Sequence, residues 1–373
     1  VTGTLRAGTT AMVSALDAIK AGTAKSVLVT AADTIMAAPA GDFEQGYGDG
    51  SAAIMLGSKG IIASIEGSNS ISDEFAGVWR TSEDTFIRSW EDRMVLDKGY
   101  SSIMHEAISG LLKKYNLAPK DFTKIVCDAP LDVRRHARLA RDLGFDTAQV
   151  QDPMFLTTGN TGCALALIML VSALEEAKPG EKILFASYGN GADAFVIQVT
   201  PEIEKLTTRR GIKKHLAAKK PLRNYETYLR WRKLVTLERA RRPELGPTTV
   251  AGVWRDRRLI LGLWGKKCKV CGTPQIIQGG TMGMGTPTRV CVNCQAKDQF
   301  DEYKFSNKKA KVFTFTQDNL ADTLDPPAVI TVVDFEGGGR AIFDMTDRDP
   351  SEVYVGMPIE MTFRKLYYDA PRG

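Results

Sequence analysis

Cys268-Lys269-Val270-Cys271 and Cys291-Val292-Asn293-Cys294 form two C-x-x-C pairs separated by nineteen residues. Each pair can set two thiolates on one edge of a tetrahedron, and two such knuckles complete a zinc ribbon. Four protein thiolates leave no position open for water or substrate. The Zn2+ they would hold is therefore structural and contributes folding energy rather than chemistry. The other two cysteines are Cys127, at the end of a short apolar run, and Cys163, at the start of an apolar helical pattern. Small thiols in such settings read as core residues. This usage fits a reducing compartment, and the chain reads as cytoplasmic. Among the three histidines, His136 lies between Arg134-Arg135 and Arg138, which reads as a solvated helix face outside any site. His105 falls in an amphipathic helical pattern and His215 in a basic stretch. Gly48-Asp49-Gly50 lacks the Lys-Ser/Thr of a phosphate loop and reads as a tight turn at a close approach.

The 373 residues, 43% hydrophobic and 25% charged, suffice for two or three globular domains. No apolar run approaches the roughly 20 residues that span a bilayer. Val1-Thr2-Gly3-Thr4 lacks the basic start and apolar core of a signal peptide. A helical pattern follows Val1 almost at once with no strand before it, so further N-terminal sequence is expected. Charge is uneven: residues 201–259 hold seventeen Lys/Arg against six Asp/Glu, and the remainder is net negative.

The elements that must position these residues can be read in order. Residues 7–20 form a helix of small side chains, suited to close burial, ended by Gly22. Lys25 to Ala32 is a continuous apolar run, the pattern of a strand covered on both faces. Ser51 to Leu56 and Ile61 to Glu66 are further strands, and residues 68–98 a polar and aromatic excursion. Helices are expected over 101–115 and 133–143, with a strand at Lys124 to Cys127 between them. A loop at 157–160 feeds an apolar helix from Cys163 to Ala177. Strands at 182–187 and 194–200 flank a turn at Gly189-Asn190-Gly191. This alternation specifies a layered α/β domain. Apolar residues at helical spacing predict an amphipathic helix over Tyr225 to Arg242. After the ribbon, strands at 311–316, 328–335, 339–345 and 357–365 predict a small β-barrel of OB type.

Residues 1–200 resemble the C-terminal two-thirds of a thiolase-superfamily condensing enzyme, closest to the hydroxymethylglutaryl-CoA synthase and ketoacyl synthase III branch. The carriers are Ala7-Gly8-Thr9-Thr10-Ala11, Gly48-Asp49-Gly50-Ser51-Ala52-Ala53, Thr158-Gly159-Asn160-Thr161-Gly162 and Ser187-Tyr188-Gly189-Asn190-Gly191-Ala192-Asp193-Ala194, in that order. Residues 221–368 resemble the zinc-ribbon plus OB-fold family that accompanies thiolase-like proteins. There the carriers are the four cysteines, Lys311 to Thr316, Pro326-Pro327 and Gly356-Met357-Pro358-Ile359-Glu360. The expected organisation is thus a thiolase-like acyl-CoA domain at 1–200, a basic linker at 201–259, a zinc ribbon at 260–300 and an OB-fold domain at 301–373.

The resemblance implies a catalytic cysteine at the start of the small-residue helix, where a helix N-terminus lowers a thiol pKa and offers N–H groups to an oxyanion. The matching residue is Leu5, which cannot be a nucleophile. The family's histidine position is matched by Asp128, and its asparagine by Asn160. Asp128 is then the candidate proton carrier, since burial raises a carboxyl pKa toward neutrality. Asn160 is the candidate donor to a thioester or enolate oxygen. Gly159, Gly189 and Gly191 would shape the substrate pocket. The implied reaction is carbon–carbon bond formation or cleavage on acyl-CoA, of Claisen or aldol type. The alternative is a non-catalytic subunit that binds acyl-CoA and docks a catalytic thiolase through the ribbon and barrel. Homo- or hetero-oligomers are implied in either case. The basic segment reads as contacting coenzyme A phosphates or a partner rather than nucleic acid, because no aromatic-basic interleaving is evident on the strands.

Overall fold

A computed structural model of the chain describes residues 1–128, 132–206, 211–236, 238, 249–276, 289–321, 323 and 325–364. The chain divides into two units, Val1–Pro221 and Leu222–Gly373. The division falls inside the basic segment.

The first unit begins with α1 (Ala7–Lys20), then β1 (Ser26–Asp33), β2 (Gly50–Gly57) and β3 (Ala63–Ser72). A short hairpin of β4 (Val78–Trp79) and β5 (Arg88–Ser89) fills the polar excursion. One turn of helix, α2 (Asp92–Met94), runs through a π-helical turn into α3 (Ser102–Lys114). β6 (Lys124–Cys127), α4 (Val133–Asp142), α5 (Leu165–Glu176), β7 (Lys182–Tyr188), β8 (Gly191–Val199) and α6 (Gly211–Ala217) complete it. The central sheet has the order β3-β8-β7-β6, with β6 parallel to β7 and the other pairs antiparallel.

Alternate residues of β7 and β8 serve two cores, as strand pleating requires. Ile183, Phe185, Phe195 and Ile197 face α5, α1 and the β1–β2 ribbon. Leu184, Ala186, Ala194 and Val196 face α3 and α4. α5 is apolar around its whole circumference because it is packed by the sheet on one side and by α1 and β2 on the other. Close packing explains the small residues of α1: a Cβ at Gly8 would lie 2.9 Å from the Cys163 carbonyl oxygen. α6, which the sequence reading did not resolve within its linker, docks on α5, where Glu175 accepts hydrogen bonds from the N–H groups of Ile212 and Lys213 at 2.6 and 3.1 Å.

One expectation is corrected here. β1 is not covered on both faces. It pairs only with β2, and while Val29 and Ala31 are buried, Leu28 and Met55 opposite each other are 56% and 64% exposed. An apolar run reports strand propensity and one buried face; whether the second face is covered depends on what else packs there.

The second unit carries α7 (Tyr225–Trp231) and α8 (Val250–Gly262). The amphipathic helix read over Tyr225 to Arg242 is therefore shorter than expected; Asn224 caps it through Thr227 N, and residues 237 and 239–248 lie outside the described residues. The ribbon is a three-stranded sheet of order β10-β9-β11, with β9 (Trp264–Cys268), β10 (Pro274–Gln275) and β11 (Phe300–Lys304). β12 (Ala310–Asp318), β13 (Ala328–Phe335), β14 (Arg340–Asp344) and β15 (Pro358–Ile359) form an antiparallel sheet of order β14-β13-β12-β15. The fourth expected strand pairs only at Pro358 and Ile359, and its end from 365 onward lies outside the described residues. Phe305 joins ribbon and barrel: it is fully buried, edge-on to Tyr303 at 4.9 Å and to Phe335 at 4.9 Å, with Ile276 and Leu263 in the same cluster.

Candidate active site and metal centre

The start of α1 is in contact with the turn that carries two of the predicted residues, Gly189 and Gly191. Leu5 lies just before Arg6, the N-cap. The 188–191 turn packs directly on it: a Cβ at Gly189 would sit 2.6 Å from Arg6 N and 2.9 Å from Leu5 N. At Gly191, with φ +114°, a Cβ would meet the Ile71 carbonyl oxygen at 2.1 Å. Only glycine allows this approach.

Asp128 follows β6 and is held beside the same turn. Its carboxylate accepts from Ser187 Oγ at 2.9 Å and from Tyr188 N at 2.9 and 3.1 Å, while Tyr100 Oη donates to its backbone carbonyl at 3.0 Å. Burial raises its pKa to about 7 against the lowering effect of these donors, and nearby Asp193 adds to the rise. Asp128 is thus a carboxyl that titrates near neutrality, next to the backbone that covers Leu5.

Asn160 lies on the other flank. Its N–H donates to Gly46 O at 2.8 Å, its carbonyl accepts from Gly48 N at 3.0 Å, and its Oδ1 accepts from Gly162 N at 2.9 Å. Gly48 is indeed a close approach, since a Cβ there would lie 2.3 Å from Thr158 O. Gly159, with φ +70°, reverses the chain before Asn160. The α5 entrance then meets α1 at Gly8. Gly189 and Gly191 thus lie against Leu5 and Arg6, Asp128 holds the same turn through Tyr188 N, and Gly159 and Asn160 precede Cys163, whose carbonyl lies against Gly8 of α1.

Arg6 and Asp193 carry no signal that sequence reasoning picked out. They form a buried ion pair at 2.8 Å, with side chains 13% and 3% exposed. Arg6 Nε also donates to Gly189 O at 2.8 Å, and Thr9 Oγ1 donates to Asp193 Oδ2 at 2.7 Å. The pair bolts the turn to the helix start. Asp193→Ala leaves the guanidinium buried without its charge partner and is expected to cost about 3–5 kcal/mol. A urea-unfolding midpoint unchanged from the parent chain would refute that role.

The remaining thiols and histidines sort as follows. Cys127 is fully buried and its pKa is pushed up by burial and by Asp128, so it is a core residue as read. Cys163 is half-buried rather than fully packed; its thiol donates to Ala32 O at 3.5 Å, and burial and Asp33 raise its pKa, which keeps it a neutral thiol. His136 is a correction. It is only 1% exposed, not on a solvated face, and burial depresses its pKa to about 4. Its arginine neighbours point elsewhere around α4, a distinction that adjacency in sequence cannot make.

The four ribbon cysteines converge. Their sulfurs lie within 4.8 Å of one another, with Cys268–Cys294 at 3.6 Å and Cys271–Cys291 at 3.5 Å. Four metal–sulfur bonds of about 2.3 Å in a tetrahedron place sulfurs about 3.8 Å apart, so the donor set fits such an ion. Buried Gln275 ties the knuckles together, accepting from Val292 N at 3.1 Å and donating to Val290 O at 3.2 Å. Aromatic and basic residues also meet on the ribbon, which the reading of the barrel strands did not cover. Antiparallel pairing of β9 and β11 sets Lys266 against Phe300 at 5.5 Å, and Lys304 and Arg258 against Trp264 at 5.8 and 4.6 Å. Acidic Asp301 and Glu302 of β11 pair with Lys269, just after β9, and with Arg258 of α8, so the face has no single sign.

Comparison with known proteins now bears on this geometry. The chain is 32% identical over 204 residues to a hydroxymethylglutaryl-CoA synthase of Methanopyrus kandleri, covering 54% of this chain and 58% of the relative. It is 30% identical over 237 residues to the synthase of Thermoplasma volcanium, covering 62% of this chain and 67% of that protein. The chain belongs to the hydroxymethylglutaryl-CoA synthase family. It spans 58% of the length of the Methanopyrus relative. A solved hydroxymethylglutaryl-CoA synthase, PksG from Bacillus subtilis, matches with a TM-score of 0.54 at 19% identity, over 62% of each chain. A synthase structure complexed with CoA matches with a TM-score of 0.52 at 17% identity, over 66% of each chain. These establish a thiolase-like fold. Residues 303–364 match the family described as ChsH2, C-terminal OB-fold domain. The family's fold and the appended barrel are thus as the motifs implied. Among the described residues, no helix is long and apolar enough to cross a membrane.

Proposed function

We propose that this synthase-family chain acts on acyl-CoA thioesters, making or breaking a carbon–carbon bond without a covalent cysteine step. The observation that carries this reading is Asp128, buried, titrating near pH 7, and hydrogen-bonded to the turn that packs on the start of α1. A carboxyl of that pKa can take a proton from the carbon next to a thioester carbonyl and return it. Asn160, its amide oriented by Gly162 N–H, would donate to the oxygen on which the enolate charge collects, assisted by the helix N-terminus. Leu5 offers no nucleophile, so the acyl group stays on coenzyme A. The four cysteines would hold one structural Zn2+, which when bound supplies folding energy only. Asn160→Ala tests the catalytic reading. Condensation or thiolysis of an acyl-CoA, followed through free thiol, is expected to fall about 10²–10³-fold. Full activity in that variant would sink it.

Leu5 also favours a second reading. A thiolase-like fold without its cysteine can serve as the silent subunit of a complex, binding acyl-CoA and docking a complete thiolase through the ribbon and barrel. Turnover by the purified chain alone, with no thiolase recovered on affinity capture, would remove it.

A further inference from the structure

A cavity of about 270 Å³ lies in the first unit, between α4 and the segment from Phe145 to Pro153. Its apolar wall is Val133 and Ala137 from one stripe of α4, facing Phe145 and Val150. Its polar lining is Thr147 together with His136, Arg141, Gln151 and Asp152, none of which the acyl-thioester site uses.

His136 and Gln151 have unspent capacity inside the fold, while Arg141 and Asp152 stand exposed at its rim. His136 and Gln151 are 1% and 5% exposed, and His136 Nε2 and Gln151 Oε1 are buried with no hydrogen-bond partner among the described residues. A buried polar atom without a partner costs about 1–3 kcal/mol, so two beside one cavity favour a hydrogen-bonding occupant, water or a polar ligand. The Cys127 backbone carbonyl interacts with the His136 ring, which puts the proton on the other nitrogen and leaves Nε2 a lone-pair acceptor. Asp152 has a backbone hydrogen bond from Met154 N at 2.8 Å but no cationic partner among the described residues. The Arg141 side chain has no hydrogen-bond or ion-pair partner among the described residues. Arg141 and Asp152 line the same cavity and yet do not pair with each other.

The lining therefore presents three acceptors, one of them anionic, together with one guanidinium and an apolar wall. We propose that the cavity binds a zwitterion, a free α-amino acid with a compact apolar side chain. Its ammonium has three protons for Nε2, Oε1 and the Asp152 carboxylate. Its carboxylate matches the planar fork of Arg141. The side chain lies against Val133, Ala137, Phe145 and Val150. That apolar wall suits a short branched side chain such as that of leucine.

The test is calorimetric titration of the whole metal-loaded chain with L-leucine, 4-methylpentanoate and 3-methylbutylamine. The latter two keep the side chain and lack the ammonium or the carboxylate. Saturable one-to-one binding of leucine is expected, with each analogue weaker by about tenfold or more. Arg141→Ala, a change at an exposed residue, should weaken leucine to the level of 3-methylbutylamine and leave that amine's own affinity unchanged. No leucine binding at millimolar concentration, or equal binding of all three compounds, would overturn the proposal. Leucine affinity untouched by Arg141→Ala would do the same. Acyl-CoA turnover is not the readout, so the outcome is independent of the function proposed above.

Discussion

Cys268→Ser, or extraction of the metal by a chelator, is expected to unfold the ribbon and to loosen the barrel with it. Structural zinc sites in small peptides contribute about 10–16 kcal/mol of apparent binding energy, more than a typical domain's whole stability. Here the ribbon has almost no apolar core of its own: Cys268 and Cys291 are buried, but Val270 and Val292 are 66% and 78% exposed. Without the metal, what holds the two knuckles among the described residues is Gln275, a hydrogen bond from Asn293 Nδ2 to Thr273 Oγ1 at 3.2 Å and short strand pairings. The effect should pass along β11 to Phe305, whose ring is shared with Phe335 and Ile276. Metal analysis should give one zinc per chain. Near-ultraviolet circular dichroism should lose the aromatic signal of that cluster on chelation. A demetallated chain with the parent's thermal unfolding curve would show that the ribbon does not depend on its metal.

Asp128→Asn is expected to abolish turnover while altering the pH dependence of stability in a defined direction. Loss of a positioned proton carrier costs about 10²–10⁴ in rate. If turnover survives, the limb of its pH profile near 7 should still vanish. The stability effect has its own sign. The folded carboxyl has a pKa of about 7, raised from 3.8. Between those values the folded state binds more protons than the unfolded one, so stability falls as pH rises through this window. Asp128 is thus a net cost to folding at pH 8 and much less so at pH 4. The asparagine variant, which cannot ionise, should lose that slope and compare better with the parent chain at pH 8 than at pH 5. Parallel stability–pH curves for the two chains would mean that Asp128 does not titrate in this window.

Much of the fold was legible because the relevant signals are local. A helix buried all round must be apolar all round, and Leu165 to Ala173 says so; strands of a covered sheet must be runs such as 182–188. Two C-x-x-C pairs need no tertiary information to imply a tetrahedral donor set. Glycines that the motifs singled out, Gly48 and Gly189 among them, are where backbone or side chain of a distant segment comes within 3 Å of where a Cβ would lie. Such positions admit no other residue, so the residue type alone betrays the contact.

What stayed hidden was decided by partners far away in the chain. His136 reads as solvated among three arginines, yet the turn of α4 carries it inward. The ion pair of Arg6 with Asp193 joins residues 187 apart, and nothing in either neighbourhood announces it. The aromatic-basic face of the ribbon exists only once β9 and β11 pair. By itself the sequence determined the thiolase-like and barrel elements, a four-cysteine donor set and a leucine at position 5, because each depends on residue type and spacing. Only the tertiary structure decided that Asp128 is buried enough to titrate near neutrality against the turn covering α1. Burial, and with it the desolvation that sets a pKa, is a property of everything that packs around a residue.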